Sequence, residues 1–249
     1  MNIMDITADD IYHESTTPMH KVGQMAMDQY GNKYRYVKNG LVALVTGNLL
    51  QEPVEDTQFD NMAVASTAAI GDDHIHVTNG TTTVTAGMFD DGILHVSYEA
   101  GIGQIFHIVN HTTATSGLAL IFNLDRPLKI ACSTSSKVSV RKNPYNGVIQ
   151  HPASTQTGGV VGVALYAMTA STATVPVYGW IQSGGEASML YDDGTDTSNG
   201  ISGVGPSTSA AGAGAIMPQT GAAGGIVIGF ARDVASTDTY QGIVHLNID

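Results

Sequence analysis

The chain has 249 residues, 43% apolar and 13% charged, with 22 acidic against 10 basic side chains and a net charge of −12. The apolar share suffices for a packed core and excludes a disordered chain. The acidic balance excludes a phosphate-binding surface of clustered Lys and Arg, so no nucleic-acid partner is expected.

Met1 to Met19 are polar and acidic, hold Pro18 and keep no sustained period. They read as an extended N-terminal arm, residues 1–19, either frayed or docked on a neighbour. The opening has neither the positive start nor the apolar stretch of a signal peptide. No segment approaches the ~18 apolar residues of a spanning helix, so no membrane partner is expected.

Residues 20–60 read as a β-hairpin segment and linker that packs with the C-terminal unit. Tyr30-Gly31-Asn32 marks one tight turn, and Asn39-Gly40 predicts a two-residue hairpin, because both positions accept a positive φ. The acidic stretch around Glu52 to Asp60, with Pro53, reads as the linker.

Residues 61–142 read as an inserted β-domain. Its strands are predicted at His74–Val77, Ile93–Tyr98, Gln104–Asn110, Ala119–Leu124 and Lys137–Arg141, with turns at Asn79-Gly80, Asp91-Gly92 and Gly101-Ile102-Gly103. Asn143-Pro144-Tyr145-Asn146-Gly147 breaks the pattern. Residues 143–249 form a C-terminal β-domain with strands at Val148–Gln150, Gly159–Ala167, Val175–Gln182, Ala187–Tyr191, Gly225–Ala231 and Gln241–Asn247. Between Asp192 and Gly224 runs a long Gly/Ala-rich loop. The nearest helix candidate within it, Ser209–Ala215, is too rich in glycine to hold. The fold class is therefore all-β, with two small β-barrel or sandwich-like units and an extended N-terminal arm.

The chemistry-bearing residues do not assemble into a motif. From Asn143 to Asp249 the only Lys or Arg is Arg232, and enzyme sites need titratable groups with tuned pKa values. Cys132 is the only cysteine, which excludes an internal disulfide and a zinc site with two thiolates from this chain. His74 and His76 share a strand face, with His95 and His107 on adjacent predicted strands, but their spacing is explained equally by polar positions on a half-exposed sheet. Asp192-Asp193-Gly194-Thr195-Asp196 lacks the Glu that would close a calcium loop and reads as an acidic turn. Gly101-Ile102-Gly103-Gln104 lacks the third glycine of a dinucleotide fingerprint. Asn79-Gly80-Thr81 and Asn110-His111-Thr112 match the glycosylation pattern by chance. No catalytic residue, metal or cofactor is expected. The cations Lys33, Arg35 and Lys38, and a second group of Arg126, Lys129, Lys137, Arg141 and Lys142, read as strand-face pairs with acids or as docking patches. Trp180 reads as core, with an intersubunit anchor as the alternative.

Three sets of segments resemble virion proteins of tailed bacteriophages, especially β-rich proteins that decorate or cement the head. They are Tyr34-Arg35-Tyr36-Val37-Lys38-Asn39-Gly40 with Leu49-Leu50-Gln51, then Asn143-Pro144-Tyr145-Asn146-Gly147-Val148-Ile149, and Tyr178-Gly179-Trp180-Ile181-Gln182-Ser183-Gly184-Gly185 with Ile228-Gly229-Phe230-Ala231 and Val244-His245-Leu246-Asn247-Ile248-Asp249. The resemblance implies a homo-oligomer, a trimer favoured, on the outer surface of the virion head. Its partner is the major capsid protein, and its N-terminal arm orders on the shell. The expected capsid contacts are Met1, Ile3, Ile11, Tyr12, Pro18, Lys33, Arg35 and Lys38. A tail, fibre or host-attachment protein is the alternative, although no internal repeat period is evident. A glycan-acting enzyme would need two paired carboxylates, for which Asp90, Asp91 and Glu99 are the candidates.

Overall fold

The structure, a computed structural model, describes residues 3–153, 156–192, 202–217, 225–233 and 240–249. Among these, 43% lie in strands and 3% are helical, so the chain is all-β. Contacts divide it into two units, Met1–Val54 with Pro144–Asp249, and Glu55–Asn143.

The first unit opens with β1 (Met4–Asp5), the one-turn helix α1 (Ala8–Ile11), β2 (Met25–Met27), β3 (Lys33–Asn39) and β4 (Leu49–Gln51). The second holds β5 (Met62–Ala63), β6 (His74–Thr78), β7 (Ile93–Tyr98), β8 (Ile105–His111), β9 (Ala119–Leu124) and β10 (Lys137–Arg141). The chain then returns to the first unit with β11 (Asn146–Gln150), β12 (Val160–Ala164), β13 (Tyr178–Leu190), β14 (Gly203–Pro206), β15 (Gly214–Ile216), β16 (Gly229–Ala231) and β17 (Gln241–Asn247). β7, β9, β10 and β17 have the predicted bounds.

In the first unit β3, β11, β4, β12 and β13 close a five-stranded barrel, because β13 pairs back onto β3. Each barrel strand sends at least one side chain into a shared cluster, among them Val37, Val148, Leu50, Val161 and Ile181. The predicted strands Val175–Gln182 and Ala187–Tyr191 are one 13-residue strand, β13. Its first half closes the barrel, and its second half carries β17, β16, β14 and β15 onward. Hence part of the predicted Gly/Ala loop is strand: Val204 on β14 packs with Met189, Val244 and Leu246. Ser209–Ala215 supplies the β14–β15 turn and the start of β15, not a helix. The rest of that loop, residues 193–201 and 218–224, lies outside the described residues, as does most of the acidic turn Asp192–Asp196.

Barrel strands bury one face inside the barrel, and their outer face needs a cover. Here the N-terminal segment supplies it. β1 pairs in parallel with β2, and Ile6 and Ile11 pack on Tyr34, Tyr36 and Trp180 from the outer faces of β3 and β13. Thr7 caps α1 reciprocally with Asp10. The arm therefore packs on its own barrel. Asp28 organises the turn from β2 to β3, accepting hydrogen bonds from the backbone of Tyr30 and Asn32 and from the Tyr34 hydroxyl.

The predicted hairpin at Asn39-Gly40 does not form. β3 and β4 flank β11 instead of pairing with each other. Asn39 is buried, and its Nδ2 donates to Val42 O and Thr169 O. Gly40 is required by close approach, since a Cβ there would lie 2.9 Å from Val148 O. The loop that follows ends in Gly47, at φ 82°, and Leu44 bridges to Met168 to plug the barrel.

The second unit repeats this loop forty residues later. Buried Asn79 donates from Nδ2 to Thr82 O and Thr115 O, Val84 bridges to Ala114, and Gly87 has φ 71°. Position by position, Asn39-Gly40-Leu41-Val42-Ala43-Leu44-Val45-Thr46-Gly47 corresponds to Asn79-Gly80-Thr81-Thr82-Thr83-Val84-Thr85-Ala86-Gly87. Asn79→Ala removes the buried amide and its bonds to these carbonyls and is expected to cost about 2 kcal/mol in urea unfolding followed by far-UV circular dichroism. A change below a few tenths of a kcal/mol would mean that Asn79 does not clamp the loop.

The second unit is a nearly closed six-stranded barrel, ordered β5-β10-β7-β8-β9-β6, with Val64 bridging to Val77. Gly101 and Gly103, both at positive φ, form the predicted turn from β7 to β8. Cys132 is buried in this core, and burial pushes its thiol pKa up. The unit starts at Glu55, before the expected residue 61, because the 3-10 turn Thr57–Phe59 sinks Phe59 into the core, edge-to-face on Phe89 at 4.8 Å. The acidic stretch is thus only partly a linker.

Candidate interaction surface

The residues expected to dock on a partner differ in exposure. Ile3, Tyr12 and Pro18 are exposed, with Tyr12 6.2 Å from the Tyr166 ring. Ile11 is buried under its own barrel, because it caps the outer face of β3 and β13. Met1 lies outside the described residues.

The cations of β3 turn inward to a neighbour on the same chain. Arg35 makes a two-pronged pair with Asp249, Nε to Oδ2 at 2.7 Å and Nη2 to Oδ1 at 2.8 Å, and its Nη1 donates to Gly23 O. Its guanidinium also lies 5.3 Å from the Tyr145 ring centroid. Lys33 Nζ donates to Asp249 O at 2.7 Å. Lys38 is half-buried at the end of β3. Burial opposes ionisation of Asp249, but the hydrogen bonds from Arg35 and Ser183 and the charges of Arg35 and Lys33 outweigh it and hold the carboxyl below its ordinary range. Arg35 and Lys33 are therefore internal fasteners and not a docking patch. In the second unit Arg141 pairs with Glu55 and Asp60, and Arg126 with Asp125.

Trp180 is 2% exposed, with Tyr36 and His20 rings 5.1 and 5.2 Å away, so it belongs to the core and does not offer itself to another subunit.

The titratable residues stay apart. The His74 and His76 rings lie 5.2 Å from each other, and His74 Nδ1 meets Asp73 at 3.0 Å. His95 and His107 sit on β7 and β8, opposite Ile105 and Ile93. Among the described residues no group of three or more His, Cys, Asp or Glu side chains is placed to hold a metal ion. Asp91 and Glu99 occupy turn positions with positive φ, and Asp90 faces the His111 ring at 3.7 Å. His111 Nε2 accepts from the Phe89 backbone N–H, so the neutral ring carries its proton on Nδ1, toward Thr112 O. His151 is buried beside β11, and burial disfavours its charged form, lowering its pKa despite a backbone hydrogen bond.

One surface feature carries no charged side chain. The loop after β3 exposes Leu41, Val42 and Val45 at 75%, 60% and 55%, while Leu44 between them is buried. The facing loop, residues 165–177, is tied to it by Leu44–Met168, by Ser171 N to Gly40 O and by Asn39 Nδ2 to Thr169 O, and it exposes Val175. The segments 39–51 and 143–185 that build this end contain no Asp, Glu, Lys or Arg. The sequence signal was present in the spaced repeat of Asn-Gly, a buried apolar residue and a closing Gly at Asn39 and Asn79.

No family model matches this sequence, and comparison with curated proteins and with solved structures found no match.

Proposed function

We propose that this protein is a structural component of a tailed-bacteriophage virion that binds the outer surface of the head and stabilises the assembled shell. In this reading it acts as a homo-oligomer, a trimer favoured, against the major capsid protein, without catalysis or cofactor. The observation that carries the reading is where the resembling segments lie. Tyr34–Gly40, Leu49–Gln51, Asn143–Ile149 and Tyr178–Gly185 contribute β3, β4, β11 and β13, four of the five strands of the closed barrel. Segments far apart in the chain thus support the resemblance as one body rather than as scattered matches. The charge-free stretch from residue 143 to 185 supports it further, because an all-β body short of charge suits burial against a large protein lattice.

The physical role follows from linkage. A protein that binds the assembled shell and not its free subunits stabilises assembly by its binding free energy. Of the expected contacts, Ile3, Tyr12 and Pro18 keep accessible surface. The test is a reconstruction of the virion by electron cryomicroscopy, with mass spectrometry of separated heads and tails. Density for two β-barrels on the outer head surface is expected, and heads stripped of the protein should lose DNA at lower temperature and regain resistance on its return. Finding the protein on tails alone, or on no particle, would overturn the proposal.

A further inference from the structure

We infer that the loop Leu41–Val45, at the plugged end of the five-stranded barrel, is a contact surface for a second copy of this chain. The first ground is that the fold does not require its apolar side chains. The second unit builds the same loop, with the same buried Asn clamp, the same bridge and the same closing Gly, but places Thr81, Thr82 and Thr85 where the first has Leu41, Val42 and Val45. The inward position is apolar in both, Leu44 and Val84. The outward positions differ: Thr81 and Thr82 are held by Gln58 and Asp56, which accept their hydrogen bonds, whereas Leu41, Val42 and Val45 keep the same loop backbone while staying exposed. Three exposed aliphatic residues on one five-residue loop cost solubility unless something covers them.

Charge identifies the occupant. The chain carries −12, so two copies repel wherever their acidic faces meet. A partner recognised by charge would meet Lys, Arg, Asp or Glu among the loop residues. Segments 39–51 and 143–185, which build this end, have none. Among the described residues, charged groups at its margin are Glu14, whose carboxylate accepts from Thr169 N and Oγ1, and Lys38, next to Asn39, one of each sign. An apolar loop on segments without charged side chains is where copies of an acidic chain can approach. The loop alone buries less than the ~1,600 Å² of a standard interface, so the association is reversible and rises with concentration. It rests on the homo-oligomer part of the proposed function and not on the virion location, so loss of self-association and absence from the head are separate failures.

The experiment is sedimentation velocity of the full chain from low-micromolar to submillimolar concentration, at about 50 and about 500 mM NaCl. The comparison is the triple variant Leu41→Thr, Val42→Thr, Val45→Thr, which transplants the second unit's own solution. The wild type is expected to rise above the 25.9 kDa monomer mass with concentration, and more steeply at high salt, where like-charge repulsion is screened. The triple variant should weaken the association at least about tenfold, with circular dichroism and Trp180 emission unchanged. Should the triple variant misfold, the single exposed change Val42→Lys gives the same reading. A wild type that stays monomeric throughout, an association abolished by salt, or folded variants that associate like the wild type would each overturn the inference.

Discussion

Trp180→Ala is expected to lower the stability of the first unit by about 3–5 kcal/mol. The indole is 2% exposed and sits edge-on to Tyr36 at 5.1 Å, within the cluster that also holds Ile6, Ile11, Ala26 and Tyr34. Truncation leaves a void that these residues fill only in part, because the backbone of β13 is fixed on both sides by β3 and β12. The loss should also loosen the N-terminal segment, whose Ile6 and Ile11 pack in that cluster. Denaturant unfolding read by circular dichroism measures the first effect, and limited proteolysis before Met19 the second. Trp180 is the only tryptophan, so its emission in the wild type reports this core alone and should be blue-shifted. A red-shifted emission with a cost below 1 kcal/mol would place the indole at the surface and remove the core assignment.

Asp249→Asn is the second large effect. The substitution keeps the size of the side chain but leaves the Arg35 guanidinium, 13% exposed, with one half of its partner gone. Breaking such a pair from one side strands a largely buried charge, and a loss of about 3 kcal/mol is expected at neutral pH. The pH dependence has a definite sign. The carboxyl of Asp249 titrates lower in the folded chain than in the unfolded one. Its contribution is complete above the unfolded value, about 4, and is lost as the pH falls through the folded value. The gap in unfolding free energy between wild type and Asp249→Asn should therefore be full at pH 7 and shrink below about pH 4. A gap that does not change with pH would mean that the carboxylate charge is not what Arg35 uses. Arg35→Lys should be costly as well, since an ammonium cannot reproduce the two-pronged geometry.

What could be read in the sequence was local. Alternation placed β7, β9, β10 and β17 at their bounds, and Gly101 and Gly103 marked a turn that needs positive φ. The Asn39-Gly40 pair misled for a physical reason. The dipeptide favours a hairpin where both residues reach positive φ, but here the Asn side chain is drawn inward to carbonyls of a distant loop, and the Gly is selected by its closeness to Val148. β3 is equally instructive. Its burial pattern is not a clean alternation, because the barrel interior takes Val37 while the N-terminal segment covers Tyr34 and Tyr36. The exposed aliphatic loop of the candidate site carries no titratable group, so no chemical motif marks it in the sequence.

By itself, then, the sequence determined the all-β class and the low charge of the C-terminal stretch, since composition, turn residues and alternation act over a few neighbours. The tertiary structure alone decided that β13 returns to β3 to close a barrel, that Ile11 is core, that Arg35 is fastened to Asp249, and that Leu41, Val42 and Val45 remain outside. Each of these depends on a partner tens to hundreds of residues away in the chain. Long-range pairing is settled by which faces can be covered together, and no local pattern encodes it.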